Sequence, residues 1–464
     1  MRRRKAVKAI ALGAVTPGLF FPDTKENKRD AVAGRQYTTF ESPWSQWPDM
    51  PWVGPEFWGN RLQDWRIEAG RAVCVVTDRN RTLHWLTCQL SKEAVAFETS
   101  VVLEWLNTDD RSAGNRAGFL LGAKGKFDDY RSAAVFGEGF HAGADGAGRL
   151  YLGDAYGERI LGPGGKIRLV LRAVIEGGAY TLRLTGESAD SGKTLGELVA
   201  PGIPLDALQG TIALRSDFQP SENSRPTPSV AFERWTLSGA KVIHDTAHSF
   251  GPVCFAHYTL NRKVLKLTAQ LAPVESIGGY KVALQLREGN GWRTLKESSI
   301  DPLGRTAHFR VDGWLYQRTV SYRIRVELPL KGAVAEYFYE GEIAREPLEN
   351  RRVKMAVFSC NCDYGFPDSD VPRHVGKHKP NLAVFLGDQF YESTGGFRIE
   401  TSPPDRACLD YLRKWYMFGW SYRDIFRNIP SVCIPDDHDV YHGNVWGEGG
   451  KKAPTDGGWG YEAQ

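Results

Sequence analysis

A chain of 464 residues has room for about three domains. Its 42% hydrophobic and 25% charged residues are a globular composition and exclude a disordered chain. The net charge of +4 comes from the first eight residues: without Arg2, Arg3, Arg4, Lys5 and Lys8 it becomes −1, which excludes the basic footprint of a nucleic-acid binder.

The amino terminus, MRRRKAVKAIALGAVTPGLFF, has a basic start, an apolar segment and a small-residue region. This pattern predicts an export signal and linker over residues 1–35, too short to span a bilayer. Arg3-Arg4-Lys5-Ala6 is close to a twin-arginine pattern, and an ordinary secretory signal is the alternative. A periplasmic or extracellular protein is expected, with no membrane span in the mature chain. The seven cysteines form no repeated framework. Cys74 and Cys88 could bridge neighbouring strands in an oxidised protein, whereas Cys254, Cys408 and Cys433 suit small core positions.

Residues 36–246 are expected to be all-β. Phe97–Trp105 is strand-like, and Lys166–Arg172 alternates charged and apolar residues. Gly177-Gly178 then turns the chain into Tyr180–Leu184, a hairpin signal. The order of strands resembles a concanavalin-like or laminin-G-like jelly roll. Such a module is either a glycan- or surface-binding domain or a structural spacer, because a fold does not name a function. Residues 250–347 form a second β-rich unit: Val264–Leu271, Tyr280–Leu286 and Val320–Val326 carry the pattern of an immunoglobulin- or fibronectin-like sandwich.

The last region, 352–464, changes character. Three short apolar runs, Lys354–Ser359, Leu382–Leu386 and Ser431–Ile434, each lead into metal-competent side chains: Cys360-Asn361-Cys362-Asp363, Gly387-Asp388, and Asp436-Asp437-His438-Asp439. Helical patterns over 370–379 and 405–426 separate the runs. A β-α-β-α-β order places the three strand ends on one edge of a parallel sheet, where such sheets bind ligands.

The strings GDQFYE and DDHD, preceded by a strand ending in SCNC, resemble the alkaline phosphatase D (PhoD-like) branch of the metallophosphoesterases. That branch carries Cys where most of the superfamily has the first Asp, matched by Cys360, and a Tyr three residues after the second-motif Asp, matched by Tyr391. PhoD-like enzymes often carry an immunoglobulin-like domain before the catalytic one. The resemblance implies Fe3+ and Ca2+ held by Cys360, Asp388, Tyr391, Asp437 and Asn444. Asp388 would bridge the two metals, and His438 would be the catalytic group that orients phosphate or protonates the leaving group. Cys362 is either a further thiolate ligand or an inward strand-end residue. Asp436 and Asp439 would support the ligands from behind. His374 and His378, although four apart on a helix, sit away from a strand end and are set aside as ligands.

The expected fold class is therefore multidomain: a jelly-roll-like sandwich, an immunoglobulin-like sandwich, and an incomplete α/β metallophosphoesterase sheet. Its implied activity is metal-dependent hydrolysis of a phosphate ester. Later Asp and His motifs of such domains are not found after Asn444, so the expectation is a domain truncated at its carboxyl end and short of full activity. A second reading is an exported, non-catalytic protein whose jelly roll binds a glycan or a surface. A third, a thiolate–zinc structural site at Cys360 and Cys362, leaves Tyr391 and Asp437 unexplained.

Overall fold

The computed structural model describes residues 31–32, 35–107, 112–161, 165–220, 227–274, 280–314, 317–346 and 352–440. Contacts divide the chain into two units, residues 1–36 and 37–464. In the first, the described part is a pair of short antiparallel strands, Ala31–Val32 and Arg35–Gln36. The rest of the expected export signal lies outside the described residues.

The second unit begins with two eight-stranded sheets. One, the back sheet, runs in the order Thr194–Ile203, Ala179–Ser188, Lys166–Glu176, Phe97–Trp105, Val230–Gly239, Arg71–Cys74, Trp65–Glu68, with Thr39–Glu41 also paired to Val230–Gly239. The other, the front sheet, runs Ala155–Arg159, Arg149–Leu152, Glu138–Asp145, Arg116–Lys124, Gly210–Asp217, Arg81–Leu90, Val242–His244, with Phe57–Gly59 paired to Arg81–Leu90. All these pairings are antiparallel. Strand period decides which residues face inward. Ile167, Leu169, Leu171 and Ala173 are fully buried and alternate with Lys166, Arg168 and Arg172. The sheets meet through aromatic rings: Trp85 of the front sheet lies 4.8 Å from Trp235 of the back sheet, and Trp105 lies 5.3 Å from Phe218. Ring pairs of this kind contribute about 0.5–1.5 kcal/mol beyond their burial. Cys74 and Cys88 are both buried and unbridged; one sits in each sheet, so they do not occupy neighbouring strands.

A seven-stranded second sandwich comes next. A three-stranded sheet (Val253–Asn261, Val264–Leu271, Thr306–Asp312) faces a four-stranded one (Gly291–Ser299, Lys281–Glu288, Val320–Leu330, Ala333–Ile343). Buried Tyr258 and Tyr322 are in contact, one from each sheet.

The carboxyl-terminal region corrects an expectation. Strands Met355–Phe358, Leu382–Phe385 and Ser431–Cys433 are parallel, with Leu382–Phe385 central. Helices Asp370–Lys377 and Pro404–Phe426 link them. Among the described residues this is a three-stranded sheet appended to a mostly antiparallel β chain, not a metallophosphoesterase core. The long helix covers one face, where Phe385 lies 5.2 Å from Phe418, 5.2 Å from Tyr422 and 5.1 Å from Phe426. The opposite face leaves Met355, Val357, Leu386 and Ile434 exposed.

The same helix packs on both sandwiches. Phe255 of the second sandwich stacks on Phe426 at 5.6 Å, and Tyr416 donates to the Leu271 carbonyl at 2.7 Å. Gly419 is required here, because a Cβ at this position would lie 2.0 Å from the Phe255 ring. Toward the first sandwich, Trp420 lies 5.0 Å from Trp58 and 5.9 Å from Tyr130. No helix among the described residues is long and apolar enough to cross a membrane.

Candidate functional site

Two places bring chemistry-bearing side chains together. The first is the edge where the three parallel strands end. Backbone bonds join the loops: Cys360 N–H donates to the Gly387 carbonyl at 3.2 Å, and Asn361 N–H to the Asp388 carbonyl at 2.7 Å. Cys360 and Asp388 are both left-handed, with φ of 57° and 50°. Such backbone is uncommon outside glycine and gathers at binding sites. Gly387 lets the loop pass Asp436, since a Cβ there would fall 2.2 Å from the Asp436 Cβ.

Asp388 is the centre of this group. It is 7% exposed, and its Oδ1 is buried without a hydrogen-bond partner. Its Oδ2 accepts from the Tyr391 hydroxyl at 3.1 Å and lies 3.8 Å from the Cys360 thiol. Burial, together with the bonds to Cys360 and Asp388, raises the Tyr391 pKa, so its proton stays on. Ligating atoms of Asp388, Asp437 and His438 all lie within 4.8 Å of one another. His438 Nδ1 is 3.0 Å from a Glu392 oxygen, and its ring lies 4.5 Å from that of Tyr391. Asp439 accepts from the N–H groups of Gln389 at 2.8 Å and Asp436 at 3.0 Å, tying two strand ends together. Its burial raises its pKa to about 6 against the pull of those bonds.

Of the residues expected at this edge, Cys360, Asp388, Tyr391, Asp437 and His438 do gather. Asn444 lies outside the described residues. Cys362 turns aside, its sulfur 3.8 Å from Asp363. His374 is exposed and bonds the Asp370 carbonyl. The partner of His438, Glu392, was not singled out from sequence, although it adjoins Tyr391.

The second place is the outer face of the front sheet, which sequence reading missed. Register fixes which residues share it, because directly paired residues point the same way. One row reads Asp145, Arg116, Asp217; the next reads Tyr156, Tyr151, Gly143, Gly118, Arg215. A third starts at half-buried His141 and continues through Leu120, Ala213 and His84 beneath the helix Tyr130–Phe136 and the turn Leu205–Leu208. Under that cover Leu120 and Ala213 are essentially fully buried, and His84 is buried with its Nδ1 3.1 Å from the Thr211 hydroxyl. Beyond it the outward residues are aromatic and charged, and Arg116, His141, Tyr156, Arg215 and Asp217 are half-buried. Because Gly118 places no side chain between them, Arg215 reaches His141 two strands away, with Nη1 2.9 and 2.7 Å from the two ring nitrogens. Arg215 Nη2 also donates to Asp217 at 2.9 Å. The Arg116 guanidinium sits 5.5 Å from the ring centres of both Tyr151 and Tyr156. Burial and the neighbouring Arg215 depress the His141 pKa to about 4, so the imidazole is neutral at neutral pH.

No family model matches the chain, and no curated protein matches it. Solved structures similar to it include arcelin-5, a lectin-like defense protein from Phaseolus vulgaris (11% identity, TM-score 0.31, 45% of this chain and 99% of that one). Lectin II from Ulex europaeus matches at 10% identity with TM-score 0.31, over 47% of this chain and 100% of the other. The exoplasmic/lumenal domain of VIP36, in a Ca2+/Man3GlcNAc-bound form, matches at 10% identity with TM-score 0.27, over 41% and 85%. None of these three is named as a metallophosphatase. With no metallophosphoesterase core among the described residues, the alkaline phosphatase D assignment is corrected. The readings that hung on it, a hydrolase, a phosphate ester substrate and a catalytic role for His438, go with it.

Proposed function

We propose that the chain is a carbohydrate-binding protein that uses the uncovered outer face of its front sheet. The observation that carries this reading is the change of character along one sheet face: buried Leu120 and Ala213 under the helix, and then half-buried Tyr156, His141, Arg116, Arg215 and Asp217 where the cover ends, with Tyr151 buried beneath Arg116. Sugars offer C–H faces that pack on aromatic rings and hydroxyls that need fixed donors and acceptors, and this face supplies both. Export belongs to the proposal, since a glycan-binding surface meets most of its ligands outside the cell. So does a division into separate domains over 36–246, 250–347 and 352–464.

Replacing Tyr156 by Ala, or Arg215 by Ala, should weaken calorimetrically measured affinity for a saccharide selected on a glycan array by about ten- to a hundredfold. Undiminished binding by both folded variants contradicts the reading.

The strand-end cluster supports a second, separate role: holding a cation. Asp388 Oδ1 is a buried carboxylate oxygen with no hydrogen-bond partner, and ligating atoms of Asp388, Asp437 and His438 lie within 4.8 Å of one another. Cys360, Asp388, Tyr391 and Asp437 are the proposed ligands, with His438 beside them. Carboxylate and phenol oxygens suit Ca2+, whereas the imidazole and thiol suit a softer divalent ion. Nothing beyond the withdrawn resemblance supports Fe3+. Calorimetric titration with Ca2+ and with Mn2+ should show binding to the native chain that Asp388→Asn abolishes. Equal binding by the variant would remove Asp388 from the site.

A further inference from the structure

We infer that the saccharide recognised on the front sheet is acidic, carrying a carboxylate that docks on Arg116. This deepens the carbohydrate reading and rests on it.

The charged groups on the face differ in how far they are already committed. Asp145 is fully taken: it is buried, and Arg149 holds it through Nε at 2.9 Å, Nη2 at 2.7 Å and its own backbone N–H at 2.9 Å. Asp217 accepts from Arg215 Nη2 at 2.9 Å and from the Asn80 N–H at 3.0 Å. Both carboxylates, Asp145 and Asp217, are therefore engaged by residues other than Arg116. Among the described residues Arg116 makes no ion pair, although it lies directly between Asp145 and Asp217 in register. It instead lies over two tyrosine rings. Arg215 contributes a further opening, since its Nε is buried without a hydrogen-bond partner.

A guanidinium carries a planar fork of N–H groups, which matches a carboxylate in two parallel bonds. Sulfate is rounder and fits that fork less specifically. The flanking Tyr156 is half-buried, with Arg149 4.7 Å and Arg116 5.5 Å from its ring centre, and its exposed part is where a pyranose ring would pack. His141, neutral at neutral pH, and Asp217 lie close enough to Arg215 to meet hydroxyls beside the same carboxylate. A neutral sugar would pack on Tyr156 and leave Arg116, which makes no ion pair among the described residues, without an anionic partner.

The test uses the full chain and three probes: an oligomer of galacturonic acid, the same oligomer methyl-esterified, and dextran sulfate. The acid oligomer should bind at least about tenfold more tightly than its ester, and Arg116→Gln should erase that difference. Arg116→Lys, which keeps the charge and loses the fork, should restore only a minor part. If acid and ester bind alike and Tyr156→Ala removes both, the carboxylate inference is overturned while carbohydrate binding stands. If no saccharide binds, both fall. If dextran sulfate binds as well as the acid oligomer and Arg116→Lys is as good as the native chain, the face is a general anion surface and the inference is overturned.

Discussion

Asp410→Ala should lower unfolding stability by about 3–5 kcal/mol, read from urea denaturation, without any effect on the outer face of the front sheet. Asp410 is fully buried in the long helix, one turn from Arg413 and Lys414, which are fully buried too. It accepts from Arg413 at 3.2 Å, Lys414 at 3.1 Å, the Glu400 N–H at 3.1 Å and the Gln63 amide at 3.3 Å. Burial alone would raise its pKa, but the two cations beside it hold it below the usual carboxylate range. Deleting the carboxylate strands two positive charges away from water. Lys414 has the means to relieve part of that cost, because burial already depresses its pKa to about 8. Its folded pKa lies below the unfolded value near 10.4, so protonation penalises the folded state as pH falls. Losing Asp410 deepens that depression. The deficit of the variant should therefore shrink as pH rises through neutrality to about 8, above which Lys414 is neutral in both folded proteins, and a pH-independent deficit would contradict this account.

The network extends into the first sandwich. Asp64 is fully buried and accepts from Arg81 at 2.5 Å and Arg406 at 2.6 Å, while Glu400 accepts from Arg61 at 2.8 Å. Residues more than 300 positions apart in sequence are thus joined through charge, which ties this end of the helix to the sandwich.

Trp420→Ala should cost a comparable amount, about 3–5 kcal/mol. Its ring is fully buried where the three regions meet: 4.5 Å from Phe250, 5.0 Å from Trp58, 5.9 Å from Tyr130 and 6.2 Å from Phe366. Arg131 of the sandwich helix also donates to the Trp420 carbonyl at 3.0 Å. The void left by the indole cannot be filled by small movements, because rigid rings surround it. Trp420→Phe keeps most of the volume and should cost less than about 1.5 kcal/mol. Hydrogen exchange should show the alanine variant losing protection across Pro404–Phe426 while the sandwich strands keep theirs. An intact helix in that variant would show that the junction does not depend on this ring.

Much of the architecture was legible because each element carries its own period. Lys166–Glu176 alternates charged and apolar residues and is a strand. Leu412, Tyr416 and Met417 recur at helical spacing and lie on the buried side of Pro404–Phe426. The strand-end cluster was legible for a similar reason: Gly387-Asp388 and Asp437-His438 each follow an apolar run directly, so a local reading finds them. The misleading step was the one from ligand types to a named reaction. A few carboxylates, a thiol and an imidazole at strand ends fit many chemistries, and the strings that suggested one family occupy only the last part of the chain.

The front-sheet face was illegible for the opposite reason. Arg116, His141, Tyr151 and Arg215 come from four strands spread over 100 positions, and each alone looks like the solvated side of a β-strand. Only register brings them into adjacent rows. Likewise the cover over Leu120 and Ala213 depends on where the helix Tyr130–Phe136 lands, which no strand pattern encodes.

Hydrogen exchange of the full chain, with and without a saturating bound saccharide, tests the central claim most directly. Carbohydrate binding on the front sheet predicts added protection in Arg116–Lys124, Glu138–Asp145, Arg149–Leu152 and Gly210–Asp217. Protection confined to the loops carrying Cys360, Asp388 and Asp437, with the front sheet unchanged, would contradict it.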